Sequence, residues 1–278
     1  MVSSLFSRFK RPPKTWASNA KSPWSQPASP DAVQCPICQW SGESYQGEQH
    51  SERAMCPQCG SIARDRMLFW TFIARTPKKR YRVLETSPRL GHDYRSAMGQ
   101  WFSYVSSDYD QSSHVGVVRL DLQDIDLPDG SVDILLTPHV LEHVPDTSKA
   151  LREIFRILSP GGRMYLQIPV LQGVTAPPTE PEFHGDNTPV FWRFGFDFTR
   201  VLVDHGFTTT LLCTDEWSDA VSAGWTEWPE PTSTEFDVSS MLAGAIAQDL
   251  TPFVDRAGAV RLGLLPAYQF LTWECIRP

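Results

Sequence analysis

Residues 121–169 read DLQDIDLPDGSVDILLTPHVLEHVPDTSKALREIFRILSPGGRMYLQIP, and few folds accept patterns in that order. Residues 131–137 (SVDILLT) form a short, almost continuous apolar run, as expected of a strand covered on both faces. Pro145 and Asp146 mark a helix start. Leu151, Ile154, Phe155 and Leu158 then recur at three-to-four spacing, the stripe of a helix packed on a sheet. Ser159-Pro160-Gly161-Gly162 stops that helix, because proline cannot continue it and glycine accepts a left-handed turn. Residues 163–169 (RMYLQIP) read as the returning strand. Strand, helix and strand in this order make a right-handed crossover unit, and ligands collect beyond the carboxyl ends of its strands.

Four of the 6 cysteines stand in two pairs, Cys35-Pro-Ile-Cys38 and Cys56-Pro-Gln-Cys59, separated by 17 residues. That spacing predicts two knuckles sharing one tetrahedral Zn²⁺, closed to further ligands and therefore structural. Four ordinary thiols are the bland alternative, and an iron–sulfur cluster fits less well because its cysteines cluster more closely. Metal thiolates place the chain in a reducing compartment, read here as the cytoplasm. Cys213 and Cys275 lie in apolar runs and read as small buried hydrophobes.

Three linked phrases carry a family resemblance: LPDGSVDIL (residues 127–135), HVLEHV (139–144) and LSPGG (158–162). They resemble the class I S-adenosylmethionine-dependent methyltransferases. With CPIC, CPQCGS and the arginines Arg64 and Arg66, the chain is similar to a subgroup bearing an N-terminal zinc ribbon. The resemblance spans roughly residues 35–210. It implies an α/β fold: a Rossmann-like, mostly parallel seven-stranded sheet with its last strand antiparallel, preceded by a four-cysteine zinc ribbon. Residues 1–33 are then a basic Ser/Pro-rich tail, expected to be disordered, whose composition a transit peptide shares. The ribbon occupies 34–62 and the methyltransferase domain 63–278.

The resemblance also implies S-adenosyl-L-methionine as cofactor. Residues 81–86 should be strand one, ending at Glu85 beside Thr86 and Ser87; Glu85 takes the acidic position that pairs with the cofactor's amino group. The family's glycine-rich loop is here VLETSPRLG, with Ser87 and Arg89 where glycines normally stand. Residues 101–107 should be strand two, ending at Asp108 and Tyr109, and an acid there holds ribose hydroxyls in nucleotide-binding α/β folds. Residues 116–122 are expected as strand three, with Asp121 and Leu122 flanking the adenine. Pro138 and His139 follow strand four, where donor and acceptor would meet. His139, His184 and Arg193 are the candidate catalytic residues; a histidine can take a proton near neutral pH, although methyl transfer itself needs mostly alignment. Glu142 and His143 read as packing or capping groups, Arg64 and Arg66 as either anion contacts or ribbon packing.

Residues 170–189 suit a long loop over the sheet edge, and 191–198 (FWRFGFDF) an aromatic pocket wall or a helix start. Residues 208–214 and 268–276 should be the closing antiparallel pair, joined by 53 residues carrying Trp217, Trp225 and Trp228. That insertion, 215–267, is expected to be a lid over the acceptor, a homodimer contact, or tryptophans packed on the sheet edge.

Composition narrows the function further. No apolar run approaches a membrane span. Residues 1–30 hold Arg8, Lys10, Arg11, Lys14 and Lys21 and no acid, so the body is more acidic than the net −7. That argues against nucleic acid held mainly through phosphates. The leading expectation is a methyltransferase acting on a small organic acceptor. The alternatives are an RNA or protein methyltransferase docking through the ribbon, and a binding module that kept the fold.

Overall fold

The computed structural model describes residues 32–47, 54–76, 80–110, 118–170, 172–224, 244–264 and 271–278. Residues 1–31 of the expected tail, Trp225, Trp228 and the start of the expected third strand lie outside the described residues, while Val33, the last residue of that tail, opens a strand. Among the described residues no helix is long and apolar enough to cross a membrane.

The described residues begin with a small antiparallel pair, β1 (Val33–Gln34) and β2 (Ser41–Gly42), followed by helix α1 (Ala63–Arg75). The alternating part then runs β3 (Arg82–Thr86), α2 (His92–Trp101), β4 (Ser103–Asp108), β5 (Val118–Arg119) and β6 (Val132–Pro138). It continues through α3 (Thr147–Ile157) and β7 (Leu158–Gln167). A two-stranded ribbon, β8 (Glu182–Phe183) with β9 (Pro189–Val190), folds residues 170–189 back over the sheet. The last elements are α4 (Phe198–Asp204), β10 (Thr208–Thr214), α5 (Asp215–Ser222), β11 (Leu250–Val254), α6 (Arg256–Leu262) and β12 (Thr272–Ile276).

The main sheet has eight strands in the order β11-β10-β12-β7-β6-β3-β4-β5. Strands β3 to β7 are mutually parallel, and β12 is antiparallel to both β7 and β10. The expected seven-stranded sheet is present, and β11 adds one strand, pairing parallel to β10 from Leu211–Leu250 onward. It comes from the 215–267 insertion, whose described part is therefore a helix–strand–helix extension of the sheet. Trp217 is fully buried in the main core, the packing role among the three expectations for that segment.

Local chemistry explains the centre. Asp146 caps α3 by accepting from the Lys149 N–H at 2.8 Å, an interaction worth about 1 kcal/mol. Ala150, Leu151, Ile154 and Ile157 are the buried face of α3; Phe155 is half-buried against Phe207, and Leu158 already belongs to β7. The Ser159–Gly162 turn is drawn into β7 because the chain end pairs with it: Gly161 N–H donates to Arg277 O and Arg277 N–H to Gly162 O. Trp101 ends α2 instead of opening the second strand, and its ring packs near Phe69.

The cysteine-bearing segment shares a core with the sheet. Cys35, Ile37, Tyr45 and Cys56 pack in one cluster with Leu68 and Phe72 of α1 and with Val83, Ile134 and Leu136. Arg66, fully buried, fastens this arrangement: its guanidinium donates to Leu262 O (2.5 Å), Ser61 O (2.6 Å) and Ala54 O (2.8 Å) and lies 3.7 Å over the Tyr45 ring. Gly263 ends α6 at φ +65, where a side chain would meet Tyr45 at 2.4 Å.

Candidate active site

A cleft of about 680 Å³ opens at the carboxyl edge of β3, β4 and β6, within the usual range for small-ligand sites. Glu85, Thr86, Ser87, Asp108 and Tyr109 line one side of it. Asp121, Leu122, Pro138 and His139 line it as well, so every residue expected to cradle a cofactor reaches one space. The opposite wall comes from Ile37 and from Arg64, Asp65, Leu68 and Phe69 of the first helix.

Glu85 lies buried near the end of β3, and its Oε2 accepts from Tyr104 Oη at 2.7 Å and Tyr94 Oη at 3.0 Å. Burial pushes this carboxyl up to about 7 against the lowering effect of the two hydroxyls. Among the described residues no cation is bonded to it, so an ammonium group entering the cleft would find an acid in need of one. Asp108 accepts from Ser87 Oγ at 2.9 Å and from the Asp110 N–H at 3.0 Å, which fixes its carboxylate at the strand end. Ser87 itself sits at φ +45, the left-handed region that glycine occupies freely. The backbone thus keeps the glycine conformation without glycine, and the serine hydroxyl is spent on Asp108. Asp121 accepts from the Gln123 N–H at 2.8 Å, so one oxygen also caps a turn.

Arg89 also lines the cleft, and its guanidinium is tied down: it pairs with Asp65, itself the cap of α1 through Ile62 N–H, and donates to Gly60 O at 3.0 Å. The loop after β3 is thereby tied to the residue following Cys59. Arg64 lines the cleft, while Arg66 is a packing group.

At the mouth stand His139, His143 and His184, with Thr188, Pro189 and Phe191. His139 has φ +50, and its N–H donates to Gln167 O at 2.7 Å. Burial, then the charge of Arg64, holds its imidazole well below the ordinary histidine range. The His143 and His184 rings meet edge to face at 4.7 Å. Arg193 is a correction: it does not line the cleft, because Glu182 holds its Nε at 2.8 Å and its backbone pairs with Ala176. Sequence reasoning misses Tyr94, Tyr104, Asp65 and the anchoring role of Arg89. A buried strand-end acid signals that donors exist, but not which ones.

Beside the cleft, the sulfurs of Cys35, Cys38, Cys56 and Cys59 all lie within 4.8 Å of one another. Cys35–Cys59 is 3.7 Å and Cys38–Cys56 3.6 Å, close to the tetrahedron edge of about 3.8 Å that a zinc–sulfur bond of roughly 2.3 Å dictates. Hydrogen bonds from neighbouring thiols, Cys35 first, hold Cys59 down at about 6 and push Cys38 up. A divalent cation at the centre would let all four ionise, so the donor set fits zinc.

The geometry defines an α/β domain with a nucleotide-type crevice at its topological switch point, acids closing successive strands. Comparison with known proteins makes this specific: residues 90–166 match the family described as a methyltransferase domain. Over 100 residues the chain is 30% identical to an arsenite methyltransferase of Aquipseudomonas alcaligenes, covering 34% of this chain and 28% of that one. Over 123 residues it is 28% identical to a probable S-adenosylmethionine-dependent methyltransferase of Mycobacterium tuberculosis, 39% of this chain and 42% of the relative. It thus spans less than half the length of these relatives. A solved Burkholderia thailandensis 1,6-didemethyltoxoflavin-N1-methyltransferase aligns at TM-score 0.39 and 17% identity, over 53% of this chain and 68% of the other. Over residues 90–166 the sheet domain thus resembles S-adenosylmethionine-dependent methyltransferases.

Proposed function

We propose that the protein transfers a methyl group from S-adenosylmethionine to a small organic acceptor, with a structural zinc held by the four clustered cysteines. The observation that carries this is the convergence of Glu85, Asp108 and Asp121, from three successive strand ends, on one cleft. Glu85 takes the cofactor ammonium, Asp108 the ribose hydroxyls and Asp121 the adenine edge. The cofactor brings a methyl group already activated on a sulfonium. The protein's share is to hold acceptor and methyl in line and to keep water out. The cleft of about 680 Å³, histidine-lined beside Phe191, favours a compact acceptor, and the cysteine segment, which contributes Ile37 to the cleft wall, is less available for docking a macromolecule.

Isothermal calorimetry with S-adenosylhomocysteine tests the reading. Binding weakened about tenfold or more by each of Glu85→Gln and Asp108→Asn is expected, since each removes a charged hydrogen bond worth roughly 1.5–3 kcal/mol. No binding heat, or variants equal to wild type, would overturn it.

A further inference from the structure

Behind the two mouth histidines lies a carboxyl group that the reading above does not use. Glu142, in the turn Leu141–His143, is 2% exposed, and neither of its carboxyl oxygens has a hydrogen-bond partner. Leaving such a group unpaired is costly, and it persists only where something holds it. Here the backbone does: Glu142 O accepts from Phe191 N–H at 2.8 Å and Trp192 N–H at 3.3 Å, which locks the turn to the strand–loop above it.

Its Oε1 faces both histidines, at 3.7 Å from His139 Nδ1 and 3.8 Å from His143 Nε2. The tautomer of His143 is fixed, because its Nδ1 lies 2.7 Å from Pro189 O and a carbonyl only accepts. Neutral His143 therefore turns a lone pair toward Glu142, and a proton held by either one relieves the facing of two acceptors. His139 can donate from Nδ1 to the same oxygen, leaving Nε2 as its basic nitrogen. These separations are ion-pair distances that side-chain shifts of about 1 Å would turn into hydrogen bonds, as is common when a site closes on its ligands. The left-handed backbone of His139, uncommon for a side-chain-bearing residue, is the kind of strain a structure keeps where a group must be aimed.

We propose that Glu142 is the positioning carboxylate of a two-histidine proton relay, holding His139 ready to receive the proton of an acceptor whose nucleophilic atom is a hydroxyl oxygen or a nitrogen that carries both a lone pair and a proton. This rests on the methyl-transfer reading. The acceptor atom bonds to the methyl carbon, the carbon–sulfur electron pair returns to sulfur, and the acceptor proton passes to His139 Nε2. The imidazolium is then balanced by the Glu142 carboxylate. Burial pushes Glu142 up to about 7, so it can exchange this proton near neutrality. The other charged groups facing the cluster are Arg64 from the first helix and His184 and Asp186 from the turn between β8 and β9.

The test uses the zinc-loaded full chain with ¹⁵N-labelled histidine, following ring-nitrogen shifts from about pH 6 to 8.5, either side of the neutral range in which histidine switches, in wild type and Glu142→Gln. Expected are an Nδ1–H tautomer at His139 and one titration step near neutrality, that of the Glu142 carboxyl, sensed together by the ring nitrogens of His139 and His143. In Glu142→Gln that step is lost or moved by more than about tenfold in proton concentration, one full pH unit, and Glu142→Asp restores part of it. S-adenosylhomocysteine affinity stays unchanged, because Glu142 does not line the cleft. Histidines that titrate independently, or a step that survives in Glu142→Gln, would overturn the relay. A shared step in a protein that binds no S-adenosylhomocysteine would retain the proton-sharing cluster, sink its role in methyl transfer, and count against the cofactor reading.

Discussion

Replacing Arg66 by alanine should nearly unfold the junction between the cysteine segment, the first helix and α6. The guanidinium satisfies the carbonyls of Leu262, Ser61 and Ala54, which belong to three separate stretches of chain. Truncation orphans all three acceptors, at roughly 1–3 kcal/mol each, and removes the stacking on Tyr45. Partial collapse recovers some of this, so a net loss of about 3–6 kcal/mol is expected, a large share of the roughly 5–15 kcal/mol typical of a domain. A zinc ion held there would sharpen the effect, because a divalent ion with four thiolates carries two net negative charges beside this buried cation. Urea unfolding of wild type, Arg66→Ala and Arg66→Lys, with zinc release to a chromogenic chelator in parallel, measures it. Lysine keeps the charge but cannot reach three divergent carbonyls, so it should fall between the other two. A loss under about 1 kcal/mol, no more than an ordinary single hydrogen bond, with unchanged zinc release would refute the argument.

Cofactor affinity should follow the ionisation of Glu85. Below about 7 S-adenosylhomocysteine binding should weaken roughly tenfold per pH unit and level off above it, while Glu85→Gln gives a weak, flat profile; calorimetry across about pH 5.5–8.5 reads both. In the ligand-free protein the folded value is raised from 4.5, so this group's stabilisation is full below 4.5 and is lost as pH rises through about 7. Glu85→Gln should therefore gain thermal stability over wild type at about pH 8 and not at about pH 4.5. Zinc chelation should release one zinc per chain, lower stability and also weaken cofactor binding, because Arg89 ties the loop after β3 to Gly60. Arg89→Ala should reproduce the affinity loss, several-fold, with zinc retained; unchanged affinity in both would separate ribbon from cleft.

What the sequence makes legible follows from what leaves a local signature. The apolar run of β6, the capped stripe of α3 and the paired cysteines each carry their own pattern, and their positions need no tertiary knowledge. Strand β11 carries none: LTPFV is short, holds a proline that demotes it, and lies deep in a long insertion. Ser87 reads as a lost glycine, yet backbone conformation, unlike residue identity, is not written in the chain. Arg193 misleads because its neighbourhood is aromatic, whereas its partner, Glu182, comes from the folded-back ribbon. Arg66 and Glu142 are ambiguous for the same reason, since burial decides what each does.

Strand β11 also bears on how copies of this chain can meet. With Pro252 in its middle, the terminal strand at that side lacks one amide donor. That edge of the ladder is thus a poorer template for a neighbour's backbone, which discourages a second molecule from extending the sheet there.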